Sequence, residues 1–128
     1  MNNELIKETQ KIISFESYPG QEKEVTDYIE ILMNKLGFRD VFRDEYGSVF
    51  GFIGPKQNTT AILFDSHTDV MPVRGNWKYP PFGGKINNGK LYGRGSTDMK
   101  GSLCASLFAA AEVQKKSQLK KQYVVSAS

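Results

Sequence analysis

The sequence has little of several features that define whole classes of protein. It contains one cysteine, Cys104, so no disulfide can form within the chain. No apolar run approaches the roughly 18 residues of a membrane-spanning helix, so we expect no membrane partner. The first residues are polar and acidic and are not followed by an apolar segment, so no signal peptide is predicted. We therefore expect a cytoplasmic protein.

The excess of positive charge is also small. The 128 residues carry 17 basic and 14 acidic side chains, a formal net charge of +3. The clearest basic cluster lies at the end of a predicted helix, where the helix dipole favours cations, so we expect no nucleic-acid partner. An aromatic content of 12% argues against disorder, and the length fits one domain. The cluster consists of Lys115, Lys116, Lys120 and Lys121.

Hydrophobic periodicity predicts three helices. Apolar side chains recur at helical spacing from Asn3 to Phe15, from Gln21 to Leu36 and from Met99 to Lys116. Gly37 follows the second helix as a C-terminal cap residue. Cys104 lies on the apolar face of the third helix, so we interpret it as a core thiol rather than a nucleophile.

Strand-like runs occupy much of the remaining chain. The run from Thr60 to Phe64 is almost wholly apolar, which predicts a central strand with both faces covered. A turn is predicted at 54–58, before this run. The other runs are Arg39 to Arg43, Ser48 to Ile53, a short hairpin around Asn87-Asn88-Gly89, and Gln122 to Ser128.

Polar residues directly after the run at 60–64 give the strongest functional signal. The only histidine, His67, is followed two residues later by Asp69. On extended backbone such residues project to the same side, so the carboxylate can orient the imidazole and leave its other nitrogen free for a metal. Ligands of open α/β sheets bind just outside the carboxyl ends of strands, where both residues lie. From spacing alone, a hydrogen-bonded structural histidine remains the alternative.

A second acidic residue, Asp98, lies in a glycine-flanked turn into the third helix. Gly93 and Gly95 allow a tight backbone path that could bring this carboxylate back toward His67. A carboxylate has two oxygens and can bridge two cations, and two metals about 3.5–4 Å apart would activate water and polarise a carbonyl. A zinc site needs three or four protein ligands, so the set offered by these residues is incomplete.

Three consecutive motifs strongly resemble the M20 metallopeptidase family, which includes desuccinylases, deacetylases, aminoacylases and carboxypeptidases. They are Ser66 to Val73 (SHTDVMPV), Trp77 to Gly84 (WKYPPFGG) and Asn88 to Gly101 (NGKLYGRGSTDMKG). Because they occur in the right order and at the right spacing, the resemblance is specific. The helices upstream also resemble the N-terminal region of the family.

The resemblance implies a zinc-peptidase-like three-layer α/β sandwich, with a mixed, mostly parallel sheet and helices on both faces. It implies that His67 and Asp98 are metal ligands, that Asp98 bridges two zinc ions, and that Asp69 is the catalytic acidic residue that orients His67. Cobalt and manganese are alternative metals. It also implies a cis peptide between Asp98 and Met99. The implied activity is hydrolysis of the amide bond of a small-molecule substrate, an N-acyl amino acid or a small peptide.

The family pattern is incomplete within these residues. After a strand like that at 123–128, family members continue with a Glu-Glu pair that supplies the general base and a metal ligand. Further ligands and an inserted lid domain used in dimerisation follow. We therefore expect residues 1–128 to be the N-terminal part of the catalytic domain of a homodimeric hydrolase, inactive alone. We also expect exposed apolar surface where further strands would pack.

Two alternatives to a hydrolase are a nucleotide-binding module and a non-catalytic scaffold fragment. Gly93-x-Gly95 before a helix is superficially similar to a dinucleotide-binding turn, but Asp98 occupies the third glycine position. Its carboxylate would repel a pyrophosphate. Arg74 and Arg94 could meet a substrate carboxylate, although we expect Arg94 to brace the turn through hydrogen bonds.

Overall fold

The computed structural model describes residues 3–56, 60–116 and 119–128. All the predicted helices and strands are present, and their ends differ from the predictions by at most a few residues. The turn predicted at 54–58 lies partly outside the described residues, because it includes 57 and 58. The elements in chain order are α1 (Asn3–Ile13), α2 (Lys23–Lys35), β1 (Arg39–Arg43), β2 (Val49–Ile53), β3 (Ala61–Phe64), β4 (Lys85–Asn87), β5 (Lys90–Tyr92), α3 (Lys100–Lys116) and β6 (Gln122–Ala127).

The main sheet has the strand order β1-β2-β6-β3 and is mixed, as predicted. The β1/β2 and β2/β6 pairs are antiparallel and the β3/β6 pair is parallel, so the described sheet is less parallel than predicted. The reason is that β1 and β2 form a hairpin whose second strand, β2, lies directly beside β6. Strands β4 and β5 form a separate two-stranded sheet.

The hydrophobic core lies on one face of the main sheet. Buried side chains of all three helices pack there with Val49, Ile53 and Val125. On the opposite face Phe42 stacks against Phe50 and Phe52, with ring centroids 5.2 and 6.1 Å apart. The predicted α/β fold with a mixed sheet is confirmed, and the described residues contribute the sheet and the layer of helices on one of its faces.

Strand β3 is an edge strand, and the prediction of a central strand with covered faces is wrong for this sheet. It pairs only with β6 among the described residues, and all four of its residues are exposed. Leu63 is 56% exposed and Phe64 44% exposed. The expectation of exposed apolar surface is confirmed here. None of the helices in the described ranges has the length and apolar character needed to cross a bilayer.

The carboxyl ends of the parallel strands β3 and β6 lie side by side. The backbone N–H of Thr68 donates to the Ser128 carbonyl at 2.6 Å, and the Ser128 N–H donates to the Ser66 carbonyl at 3.0 Å. The segment after β3 therefore continues along the end of β6 and is held there by two backbone hydrogen bonds with Ser128. This attachment positions the polar residues that follow β3.

Candidate active site

His67 and Asp69 lie in the segment that leaves the end of β3. The Nδ1 atom of His67 is 2.9 Å from Oδ1 of Asp69 and 3.2 Å from the Asp69 carbonyl oxygen. Both side chains are partly exposed, whereas Thr68 between them is fully buried. Asp69 therefore contacts one ring nitrogen of His67, and its orienting role stays a prediction.

Asp98 lies at the end of the glycine-rich turn, just before α3 begins at Lys100. The Asp98–Met99 peptide is cis, as the family resemblance implied. Gly95 has φ +79°, and a Cβ there would lie 2.8 Å from Cγ1 of Val70. The turn therefore needs a glycine at this position both for its backbone angle and for its close approach to the segment that carries His67.

The turn brings Asp98 to the free edge of the His67 imidazole. The Nε2 atom of His67 lies 3.0 Å from Oδ1 of Asp98, whose side chain is 87% exposed. The three predicted site residues are thus brought together, with one carboxylate on each nitrogen of the ring. They line an open pocket with Met71, Arg94 and Thr97.

The two carboxylates alter the protonation of the imidazole. Partial burial would lower the pKa of His67, but it is outweighed by the hydrogen bond to Asp98, the hydrogen bond to the Asp69 backbone and the charges of both carboxylates. The net effect is a pKa of His67 above the usual value for histidine. The site thus favours a positive group between its two carboxylates.

The described residues do not form a complete metal site by themselves. Within residues 3–56, 60–116 and 119–128, no three His, Cys, Asp or Glu side chains converge closely enough to hold a metal ion. Asp69 contacts Nδ1, on the side of the imidazole ring away from Asp98. His67 Nε2 and Asp98 Oδ1 are left as the two atoms that face one another across the pocket.

Arg94 braces the glycine-rich turn against the preceding loop, as expected from the sequence. Its guanidinium lies over the ring of Trp77, 4.9 Å from the centroid, and Nη2 donates to the Pro72 carbonyl at 3.4 Å. The backbone N–H of Arg94 donates to the Pro81 carbonyl at 2.6 Å. These contacts tie the loop at 72–81 to the glycine-rich turn.

The thiol of Cys104 is part of the core, as predicted. Its side chain is fully buried and its sulfur lies 3.8 Å from the Leu5 carbonyl oxygen. Burial raises the pKa of Cys104 to about 11, so the thiolate is disfavoured and the residue is not an activated nucleophile.

Lys100 is a residue of this region that sequence reasoning missed. It is fully buried, and burial lowers the pKa of its ammonium to about 8. Its helical position offered a signal, since Lys100 is spaced three, four and seven residues before buried members of the α3 stripe. Those members are Leu103, Cys104 and Leu107.

The geometry also weighs against nucleotide binding by the glycine-rich turn. The amino-terminal end of a helix binds phosphate through its free N–H groups and its positive dipole. At the start of α3 the exposed group is the Asp98 carboxylate. A negative charge at that place opposes binding of a pyrophosphate.

Comparison with known sequences adds independent evidence. Residues 63–127, about half of the chain, match the model of Peptidase family M20/M25/M40. A succinyl-diaminopimelate desuccinylase of Blochmanniella floridana is 38% identical over 121 residues, which cover 85% of this chain and 30% of that protein. The succinyl-diaminopimelate desuccinylase of Wigglesworthia glossinidia brevipalpis is 44% identical over 80 residues, which cover 61% of this chain and 21% of that protein. The chain spans about a third or less of the length of these relatives.

Solved structures show the same relationship. The chain superposes on an M20 family metallo-carboxypeptidase from Sulfolobus solfataricus with a TM-score of 0.85 and 27% identity, over 99% of this chain and 30% of that one. The chain also superposes on human carnosine dipeptidase 1 with a TM-score of 0.84, over 98% of this chain and 31% of that one. The two sequences are 20% identical, so this superposition shows a shared fold alone. The named relatives are enzymes. With the family match and the paired carboxylates around His67, these likenesses establish that the chain belongs to peptidase family M20/M25/M40.

Proposed function

We propose that the chain is the N-terminal part of the catalytic domain of a metal-dependent hydrolase that cleaves amide bonds. The contact between His67 Nε2 and Asp98 Oδ1 carries this proposal, because it joins two ligand atoms from distant parts of the chain at one pocket. The relatives support the substrate class. Several are named succinyl-diaminopimelate desuccinylases, so we propose an N-acyl amino acid or a small peptide as substrate.

The residues present fit a zinc centre as two members of its ligand set. Zinc binds imidazole nitrogen at about 2.0–2.1 Å and carboxylate oxygen at about 2.0–2.2 Å in tetrahedral geometry, so two such ligands lie roughly 3.4 Å apart. The 3.0 Å between His67 Nε2 and Asp98 Oδ1 is close to that spacing. The second carboxylate oxygen of Asp98 is available for a second metal. Cobalt and manganese are alternatives to zinc.

Asp69 would act through the imidazole. It lies on Nδ1, which favours the tautomer with the proton on that nitrogen and leaves the Nε2 lone pair for a metal. Zinc at this place would lower the pKa of a water molecule and polarise the substrate carbonyl. The groups that complete the ligand set and move the proton are proposed to lie in sequence beyond residues 1–128. A cytoplasmic location and a homodimeric full-length enzyme stay predictions.

Calorimetric titration of zinc into the chain tests the metal half of this proposal. We expect saturable binding, weaker than that of a complete four-ligand site, with release of a proton because zinc displaces hydrogen from Nε2. Proton release is read from the dependence of the heat on buffer ionisation. Binding should be lost in His67→Ala and in Asp98→Ala and retained in Glu45→Ala, which changes an exposed carboxylate in the β1–β2 turn. Equal binding by all four proteins would contradict the proposal.

A further inference from the structure

The backbone just after α1 contacts both of the segments that form the site. We call residues 15–17 the bridging segment. Its members are not in the pocket, and none of them carries a proposed role in the chemistry. Each of its contacts with the site is a hydrogen bond between atoms distant in sequence, so these contacts fix the relative position of two loops.

The first contact is made by Lys100. Its side chain is fully buried, and its Nζ donates to the Phe15 carbonyl at 2.7 Å. A lysine is almost never fully buried unless it is paired, so this hydrogen bond marks a specific placement. Lys100 follows Asp98 by two residues and therefore attaches the turn that carries this carboxylate to the bridging segment.

Lys100 also holds the glycine-rich turn itself. Its backbone N–H donates to the Gly95 carbonyl at 2.8 Å. Its aliphatic stem lies against the same glycine, where a Cβ would be 3.1 Å from Cδ of the lysine. Lys100 therefore closes the turn from Gly95 to Lys100 with its backbone and anchors it to the bridging segment with its side chain.

The second contact is made by Ser17, which is only 1% exposed. Its Oγ donates to the Thr68 carbonyl at 2.6 Å, and its own carbonyl accepts from the N–H of Val70 at 2.8 Å. These two partners are the neighbours of Asp69 in sequence. Ser17 therefore holds the segment of His67 and Asp69 from both sides.

We propose that Lys100 and Ser17 are positioning residues that set the spacing between His67 and Asp98 through the bridging segment. The two halves of the site come from loops 31 residues apart, and His67 makes its contact with Asp98 at partly exposed atoms that water can compete for. The buried contacts of Lys100 and Ser17 supply the rigidity that this exposed pair lacks. The importance of the spacing rests on the proposed function, whereas the spacing itself can be measured without metal.

The test uses the single histidine as a spectroscopic probe. With the protein labelled with 15N-histidine, the ring nitrogens of His67 give one pair of NMR signals in the metal-free chain. In Lys100→Met, which keeps an apolar stem but removes the donor, we expect the Nε2 signal to move toward that of a free imidazole. Ser17→Ala is a smaller change, and it provides the test if Lys100→Met does not fold. It should move the Nε2 signal in the same direction, since loss of the Ser17 Oγ hydrogen bond loosens the segment that carries His67 relative to Asp98.

A matched control separates positioning from general loss of stability. Leu107→Ala removes a fully buried side chain from the core side of α3. It should lower the unfolding midpoint but leave both His67 signals at their wild-type positions. The inference is overturned if the folded Lys100→Met and Ser17→Ala proteins keep the wild-type signals. The inference is also overturned if Leu107→Ala moves the His67 signals as far as Lys100→Met and Ser17→Ala move them.

Zinc affinity distinguishes failure of this inference from failure of the proposed function. Outer partners of metal ligands commonly contribute about 10–100-fold in affinity, and we expect a loss of that size in Lys100→Met. Wild-type zinc affinity in Lys100→Met would contradict the positioning role and leave the metal site intact. Absence of zinc binding in the wild type, with the expected movement of the His67 signals, would contradict the proposed function and support the positioning role.

Discussion

The Nε2 atom of His67 lies 3.0 Å from Oδ1 of Asp98, although 31 residues separate them in the chain. On the other side of the ring, Nδ1 is 2.9 Å from Oδ1 of Asp69. The imidazole is therefore held between one carboxylate from the segment after β3 and one from the turn before α3. This arrangement determines how the site should respond to pH, substitution and metal.

The pKa of His67 should be higher than that of a histidine in an unstructured peptide. We expect Asp98→Asn and Asp69→Asn each to lower it, because each removes a negative charge beside the ring and Asp98→Asn also weakens a side-chain hydrogen bond to the imidazolium. Titration of the single histidine by NMR measures this pKa directly. Asp40→Asn, distant in sequence and paired with Arg39 and Lys56, is the control and should leave the value unchanged.

The raised pKa also fixes the sign of a stability effect. Protonated His67 is favoured in the folded state, so its contribution is fully present below the unfolded-state pKa and is lost as pH rises through the folded-state pKa. The His67→Gln variant should lack this loss of stability with rising pH. A wild-type histidine pKa at or below the peptide value would contradict the prediction.

Substitution of Gly95 by alanine should destabilise the fold more than substitution of Gly75. Both have positive φ, +79° and +72°, so alanine is strained at either position by roughly 1–2 kcal/mol. At Gly95 the new Cβ would also meet Val70 at 2.8 Å, whereas at Gly75 nothing lies within 4 Å. Urea unfolding of both variants measures the difference. Equal losses would show that the turn can move away from Val70 at no cost.

The exposed face of β3 should cause self-association. An edge strand presents unpaired backbone groups, and β3 adds apolar side chains without a charge or proline to block pairing. Leu63→Lys should shift the protein toward monomer in sedimentation velocity. Ile31→Lys places the same charge at an exposed apolar position on α2, Ile31 being 65% exposed, and should not. A wild-type protein that sediments as a single monomer at high concentration would contradict this prediction.

Residues 1–128 alone should not hydrolyse an N-acyl amino acid, even with zinc present. A metal centre of this class needs at least three protein ligands, and the described residues offer no cluster of three. Release of amine from an N-succinyl amino acid measures turnover. Activity that a chelator abolishes and that disappears in His67→Ala would contradict the prediction, whereas activity that persists in His67→Ala would come from a contaminant.

Local patterns predicted the elements of this fold well, and their arrangement less well. The apolar stripes of α1, α2 and α3 fix which faces are buried, and Gly37 has the positive φ, +84°, of a helix C-terminal cap. The run at 60–64 has the composition of a covered strand, which predicts a place in the middle of a sheet. Composition cannot say which strands will be its neighbours, and the described chain places only β6 beside it.

The site shows the same division. The proximity of His67, Asp69 and Asp98 could be predicted from sequence, because their motifs are specific and consecutive. The roles of Lys100 and Ser17 could not, because both depend on hydrogen bonds to backbone atoms between 51 and 85 residues away. Such partners carry no side-chain pattern, so only the folded structure reveals them.

We propose above that His67 and Asp98 bind one metal ion together. The most direct test is to titrate zinc into the 15N-histidine-labelled chain and follow the two ring nitrogens by NMR. We predict that the Nε2 signal shifts on zinc binding, that Nδ1 keeps the signal of a protonated nitrogen facing Asp69, and that Asp98→Asn weakens the effect. A His67 spectrum that does not change with zinc, or that changes equally in Asp98→Asn, would contradict it.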